Sequence, residues 1–253
     1  ITIDDAFASV YAEAWPRLRA AGLPFTLFVA TDPLDKGFPG YMSWHQLREM
    51  LAMGGVTLGH HGAAHGHMVR QSAAAARAEI ARASARFREE LGAVPAIFAY
   101  PYGEYSLALR NVVAAAGFEA AFGQHSGAVA RTSDRFALPR FPFSEAFGDL
   151  DRFRLVVNAL PLPVTDVTPA DPLVRAENNP PLYGFTVLGG LNGLSALNCF
   201  ASRNAVTVER LGDDRIEVRL ARPLSPGRSR LNCTMPGPGG RWRWFGTQFY
   251  VLP

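Results

Sequence analysis

The sequence predicts a parallel α/β sheet or barrel, followed by a small all-β module. Three observations carry this expectation. Short apolar runs alternate with amphipathic helical stretches over the first half of the chain, the pattern of strand–helix–strand units. Each cluster of chemistry-bearing residues falls just after one of those runs, where barrels and doubly wound sheets place their sites. After about Ala159 the helical periodicity gives way to prolines, then to period-two runs separated by Gly-rich turns.

The opening run Ile1-Thr2-Ile3 leads straight into Asp4-Asp5 and reads as a first strand. From Ser9 to Ala21, Val10, Ala14 and Leu18 recur at helical spacing, and Gly22 ends that helix. Pro24 to Ala30 is a buried strand, and Thr31 to Tyr41, rich in Asp, Gly and Pro, is a loop. Ser43 is the expected N-cap of a helix reaching Met53. Val56 to Gly59 forms a short strand, and an Ala- and Arg-rich helix runs from about Val69 to Leu91. Pro95 to Tyr100 is the next strand, followed by a helix from about Ser106 to Ala116 and strand again from Phe118 to Phe122. Arg135 to Phe143 is a further strand candidate.

These elements assign residues 1–160 to one α/β domain. The prolines at 161, 163, 169, 172, 180 and 181 make 161–182 a linker or wrapping segment. Residues 183–253 form a β-sandwich-like domain in which Val206–Glu209 and Arg215–Leu220 pair as a hairpin across Gly212-Asp213-Asp214. In Arg241-Trp242-Arg243-Trp244-Phe245 the alternation points the tryptophans inward and the arginines outward.

With 48% hydrophobic and 19% charged residues among 253, the chain has ample material for a core. Its net charge is only +3 and it has no long basic run, so nucleic acid is not an expected partner. No apolar run reaches membrane-spanning length. The chain opens inside a strand without an initiator Met, which reads as a processed form with any targeting segment upstream. Cys199 and Cys233 both sit in apolar, strand-like settings. They fit one disulfide of an exported protein as readily as two buried thiols.

Three groups carry chemistry. Asp4-Asp5 offers two carboxylates at a strand mouth; alone, the pair reads as an acidic turn where a strand stops. Gly59-His60-His61-Gly62-Ala63-Ala64-His65-Gly66-His67 places four histidines within eight residues. His61 and His65 have the spacing of one helical turn. With a carboxylate from Asp4 or Asp5 they would complete two imidazoles and an oxygen ligand, the donor set of an open divalent-metal site. By alternation His60 points away from His61, and it and His67 are expected to lie outside the chemistry. The third group, Tyr100-Pro101-Tyr102-Gly103-Glu104, ends a strand in a turn where Gly permits close backbone approach.

Together the three groups resemble the polysaccharide deacetylase family, whose shared region is the NodB homology domain. The family patterns Thr-Phe-Asp-Asp-Gly, His-Ser/Thr-x-x-His and Arg-x-Pro-Tyr/Phe-Gly appear in order as Thr2–Ala6, His61–His65 and Ala99–Gly103. The resemblance spans roughly residues 1 to 155. It implies a distorted (β/α) barrel and removal of N-acetyl groups from N-acetylglucosamine-containing polysaccharide. By position it makes Asp4 the catalytic base and assigns Asp5, His61 and His65 to a divalent metal. Tyr102 would lend its backbone N–H to an oxyanion hole. Two imidazoles and a carboxylate favour Zn2+, with Co2+ or Ni2+ as substitutes. A periplasmic or secreted location is the matching expectation, in keeping with the Cys199–Cys233 pair read as a disulfide.

The departures are specific. Ala99 stands where the family has Arg. The branch acting on β-1,6-linked poly-N-acetylglucosamine is similar to Phe98–Gly103, and takes its Arg from a later strand. Arg140, in Leu138-Pro139-Arg140-Phe141, is the corresponding candidate, with a surface cation at a strand end as the alternative. Gly62 replaces the Ser/Thr of the second motif. No His follows His125, so the family's late Leu-x-His has no counterpart and the general acid is unassigned, with His125 and Glu104 as weak candidates. A catalytically weak glycan-binding relative and a metal amidohydrolase of a non-sugar amide are the competing readings.

Overall fold

The computed structural model describes residues 1–252. The chain divides into two compact units, Ile1–Pro101 with Ala108–Ala121, and Tyr102–Leu107 with the remainder from Phe122.

The first unit is built on five parallel strands in chain order: β1 (Thr2–Asp4), β2 (Phe25–Val29), β3 (Val56–His60), β4 (Ile97–Ala99) and β5 (Ala120–Phe122). Every connection is helical, as parallel neighbours require. α1 (Trp15–Ala20), preceded by a π-type turn, joins β1 to β2. α2 (Thr31–Asp35) and α3 (Trp44–Ala52) join β2 to β3, α4 (Ala73–Leu91) joins β3 to β4, and α5 (Leu107–Ala115) joins β4 to β5. Ser43 caps α3 in a reciprocal capping box with Gln46, and α4 runs from a Ser72 cap to Gly92 in the left-handed region. Leu27, Val29, Leu47, Met50, Ala83 and Phe87 form the core between sheet and helices.

Register places the site. Asp4 stands opposite Phe28, and Phe28 opposite Gly59. The Asp5 N–H continues the ladder to the Phe28 carbonyl, as the His61 N–H does to that of Val29. The ends of β1 and β3 are thus level, two strand spacings apart, roughly 10 Å. Side chains from both can converge above Phe28. Gly59 lacks a Cβ where the Phe28 ring crosses it.

In the second unit two sheets enclose a separate core. One runs β10 (Asn198–Ala201), β13 (Gly227–Pro236), β14 (Trp242–Val251), β6 (Leu160–Pro161), with β8 (Leu173–Val174) also paired to β14. The other runs β11 (Val206–Leu211), β12 (Arg215–Leu220), β9 (Tyr183–Val187), β7 (Val164–Thr168). Tyr183, Phe185 and Val218 from one sheet meet Leu231, Met235 and Phe249 from the other. A disulfide joins Cys199 to Cys233, which face each other across β10 and β13. The expected β11–β12 hairpin forms, with Leu211 opposite Arg215.

Several expectations change. The proline-rich stretch 161–182 holds two strands of the sandwich, because its prolines fall between or at the ends of short paired segments. Thr31–Asp35 is a helix; Pro33 sits in its first turn, where an N–H is not needed. Arg135–Phe143 contributes only a bridge from Leu138 to Phe122, and α6 (Leu150–Val157) follows it. In β14 the inward phase belongs to Phe245, Phe249 and Val251, so the tryptophans take the opposite face. Trp242 is exposed, while Trp244 meets Phe141 edge-on and donates to Asn232. A strand has two phases one residue apart, and alternation alone fits either.

Candidate active site

Asp5, His61 and His65 come together at the ends of β1 and β3, their ligand atoms all within 4.8 Å of one another. Asp5 Oδ1 lies 3.0 Å from His65 Nε2 and 3.6 Å from His61 Nε2. The His61 side chain is fully buried, whereas Asp5 and His65 remain partly open to solvent. Asp5 and His65 both have positive φ, 78° and 52°. Left-handed backbone at non-glycine residues costs roughly 1–3 kcal/mol each and persists only where the surroundings enforce it.

The His61 ring is set by its other nitrogen. Nδ1 lies 2.7 Å from the Ala99 carbonyl, which can only accept, so Nδ1 carries the proton and Nε2 presents a lone pair. That buried Nε2 has no hydrogen-bond partner. Burial holds the imidazole below its ordinary pKa, and His65 adds to this, while Asp4, Asp5 and the Ala99 bond oppose it. An unprotonated, oriented and otherwise unsatisfied imidazole beside a carboxylate and a second imidazole fits a divalent cation.

The ligand loop is not a helical turn, contrary to the spacing. Residues 61–67 are irregular, with Gly62 at φ 76°. Its backbone groups are satisfied from outside. Glu79 on α4 accepts from the N–H groups of Ala63 (3.1 Å) and Ala64 (2.6 Å). The first N–H groups of α2 donate to the carbonyls of Gly62 and Ala63. Arg82 binds the second Glu79 oxygen and also Asp32, locking α4 to α2. Glu79 carried no sequence signal: it is one of several acidic residues on an Ala- and Arg-rich helix, far along the chain from its loop.

His60 faces the other way, as alternation requires. It is buried among Phe87, Phe98 and Phe118. Its Nδ1 accepts the Gly62 N–H, which leaves the proton on Nε2, 3.3 Å from Ser84 Oγ. His60 is thereby a neutral brace under the ligand loop. His67 is exposed and outside the ligand cluster.

Asp4 ends β1 and is close enough to His61 to influence its titration. The other two assigned residues belong to the second unit. Tyr102 adopts φ 59°, ψ 7° in the turn Pro101–Gly103. Arg140 donates through Nε to the Gly123 carbonyl at 2.8 Å, and its backbone N–H to the His125 carbonyl. His125 is buried beside Tyr105; burial, with Arg140 adding, lowers its pKa to about 4. It is therefore neutral near pH 7 and unsuited to donate a proton. Glu104 is buried, 3.4 Å from Arg228.

Residues 1–121 match the family model for polysaccharide deacetylase. Among solved structures, the Streptococcus pyogenes deacetylase PplD in complex with acetate superposes with a TM-score of 0.53 and 21% identity, over 55% of this chain and 61% of that one. IcaB from Ammonifex degensii gives 0.53 and 27%, over 57% and 67%. The BpsB deacetylase domain from Bordetella bronchiseptica gives 0.50 and 20%, over 55% and 68%. The chain thus spans between three fifths and about two thirds of these relatives. Curated proteins give no match. Residues 1–121, with their motifs in order and their sheet in register, are similar to the polysaccharide deacetylase family.

Proposed function

We propose that the protein is a metal-dependent hydrolase that removes N-acetyl groups from an N-acetylglucosamine-containing polysaccharide. The observation that carries this is His61: a buried imidazole whose tautomer is fixed by Ala99 and whose bare Nε2 faces Asp5 and His65. Asp5, His61 and His65 would hold the cation, Zn2+ by donor type, with Co2+ or Ni2+ as substitutes. When bound, such an ion supplies Lewis acidity toward the acetamide carbonyl and lowers the pKa of water.

The chain's own groups do the rest. Asp4 takes the proton from the attacking water and, with His125 neutral and buried, returns it to the leaving amine. The Tyr102 N–H donates to the developing oxyanion. Arg140 would stand in for the Arg that Ala99 replaces and orient Asp4. Phe98-Ala99-Tyr100-Pro101-Tyr102-Gly103 supports a β-1,6-linked poly-N-acetylglucosamine as the substrate. The Cys199–Cys233 disulfide supports a periplasmic or secreted location.

The test is acetate release from N-acetylglucosamine oligomers by protein supplied with Zn2+, Co2+ or Ni2+, and by chelated protein. Release is expected with metal, loss on chelation and recovery on re-addition. No release with any of the three metals would overturn the proposal.

A further inference from the structure

The turn carrying Tyr102 is pinned within the second unit. A non-glycine residue in the left-handed region is disfavoured by roughly 1–2 kcal/mol, so its persistence needs a partner. Gly103 follows it at φ 67°, with the Gln124 backbone N where a Cβ would stand. Gln248, on the outer face of β14 and only 3% exposed, donates from Nε2 to the Tyr102 carbonyl at 3.0 Å. Its Oε1 accepts from Arg230 Nε at 3.1 Å. A carbonyl only accepts and a guanidinium only donates, so both ends fix the orientation of the Gln248 amide. Arg228 lies 5.3 Å over the Tyr102 ring and reaches Glu104. Asp171 accepts from the N–H groups of Leu107 and Leu173, tying the far end of the segment to β8.

In a helical residue of either hand, N–H and C=O point in opposite directions along the local axis. With its carbonyl held by Gln248, Tyr102 must turn its N–H away from β14. We infer that Gln248 is a positioning residue for deacetylation: by holding the Tyr102 carbonyl it fixes the direction of the Tyr102 N–H. This rests on the proposed function, in which that N–H is the oxyanion donor.

Gln248→Glu separates the donor from the scaffold. The carboxylate keeps the side-chain length and the acceptor for Arg230, but offers the Tyr102 carbonyl no proton. Loss of one oxyanion donor lowers kcat about 10²–10³-fold, and a misdirected one falls short of that. The expected result is a kcat for acetate release lowered about tenfold or more. KM and zinc stoichiometry should stay near the wild-type values, with kcat read per folded molecule. Gln248→Met, which removes both bonds, should lower kcat at least as far. Wild-type release with an unchanged kcat in Gln248→Glu would overturn this inference alone. So would a kcat that falls only in step with the folded fraction. No release by the wild type would overturn this inference and the proposed function together.

Discussion

Asp4 and Asp5 are neighbours in sequence with different surroundings, and the difference decides their roles. Asp5 turns into positive φ and brings one oxygen to two imidazoles. Asp4 closes the strand, and its charge raises the pKa of His61. Asp4→Asn keeps the shape and removes the proposed base. The expected outcome is a loss of about 10²–10⁴ in kcat, the usual worth of a general base, with bound zinc unchanged. Acetate release measured beside metal content checks both parts. Full activity in Asp4→Asn would remove the base assignment. The clustering of Asp5, His61 and His65 was legible in the sequence, since two carboxylates and a His-rich stretch each followed an apolar run. Their geometry was not, because positive φ at Asp5 and His65 leaves no mark in composition.

At the scale of elements, the ligand loop owes its form to α2 and α4. A Gly in place of the family's Ser/Thr removes one hydroxyl, and Glu79 supplies acceptors from a helix instead. Glu79→Ala leaves the Ala63 and Ala64 N–H groups without that partner. It should weaken zinc binding about 10–100-fold, the typical effect of losing a group that orients ligands. Glu79→Gln, which retains the carbonyl acceptor, should recover most of the affinity. Competition against a chromogenic chelator reads both; equal affinity in Glu79→Ala and wild type would refute the role. Sequence reading found nearly every helix and strand of the first unit because each apolar period is local. It missed the strands of 161–182 and the phase of β14. Those depend on which distant strands pair, and a period of two fits either face.

At the scale of the whole molecule, each unit buries a neutral histidine. Burial lowers His60 to about 3 and His125 to about 4, from an ordinary 6.5. A group whose folded pKa is depressed contributes its stability in full above the unfolded value and loses it as pH falls through the folded one. The urea midpoint of chelated protein should therefore be flat above about pH 7. It should fall steadily from about pH 6.5 toward 4 and below. Replacing His125 with Gln should flatten part of that fall, and a midpoint unchanged between pH 7 and 4.5 would contradict it. A change in periodicity after about Ala159 marks the all-β stretch in the sequence, whereas the grouping of residues 102–107 with strands near the chain's end leaves no such mark.

Asp5, His61 and His65 are proposed to hold a divalent cation. An anomalous-difference map collected at the zinc edge, from crystals grown with Zn2+, tests it most directly. The expected result is a single strong peak bonded to one Asp5 oxygen and to Nε2 of both His61 and His65, with Asp4 outside bonding distance. A map without a peak there, or with zinc held by residues other than these three, would contradict the account.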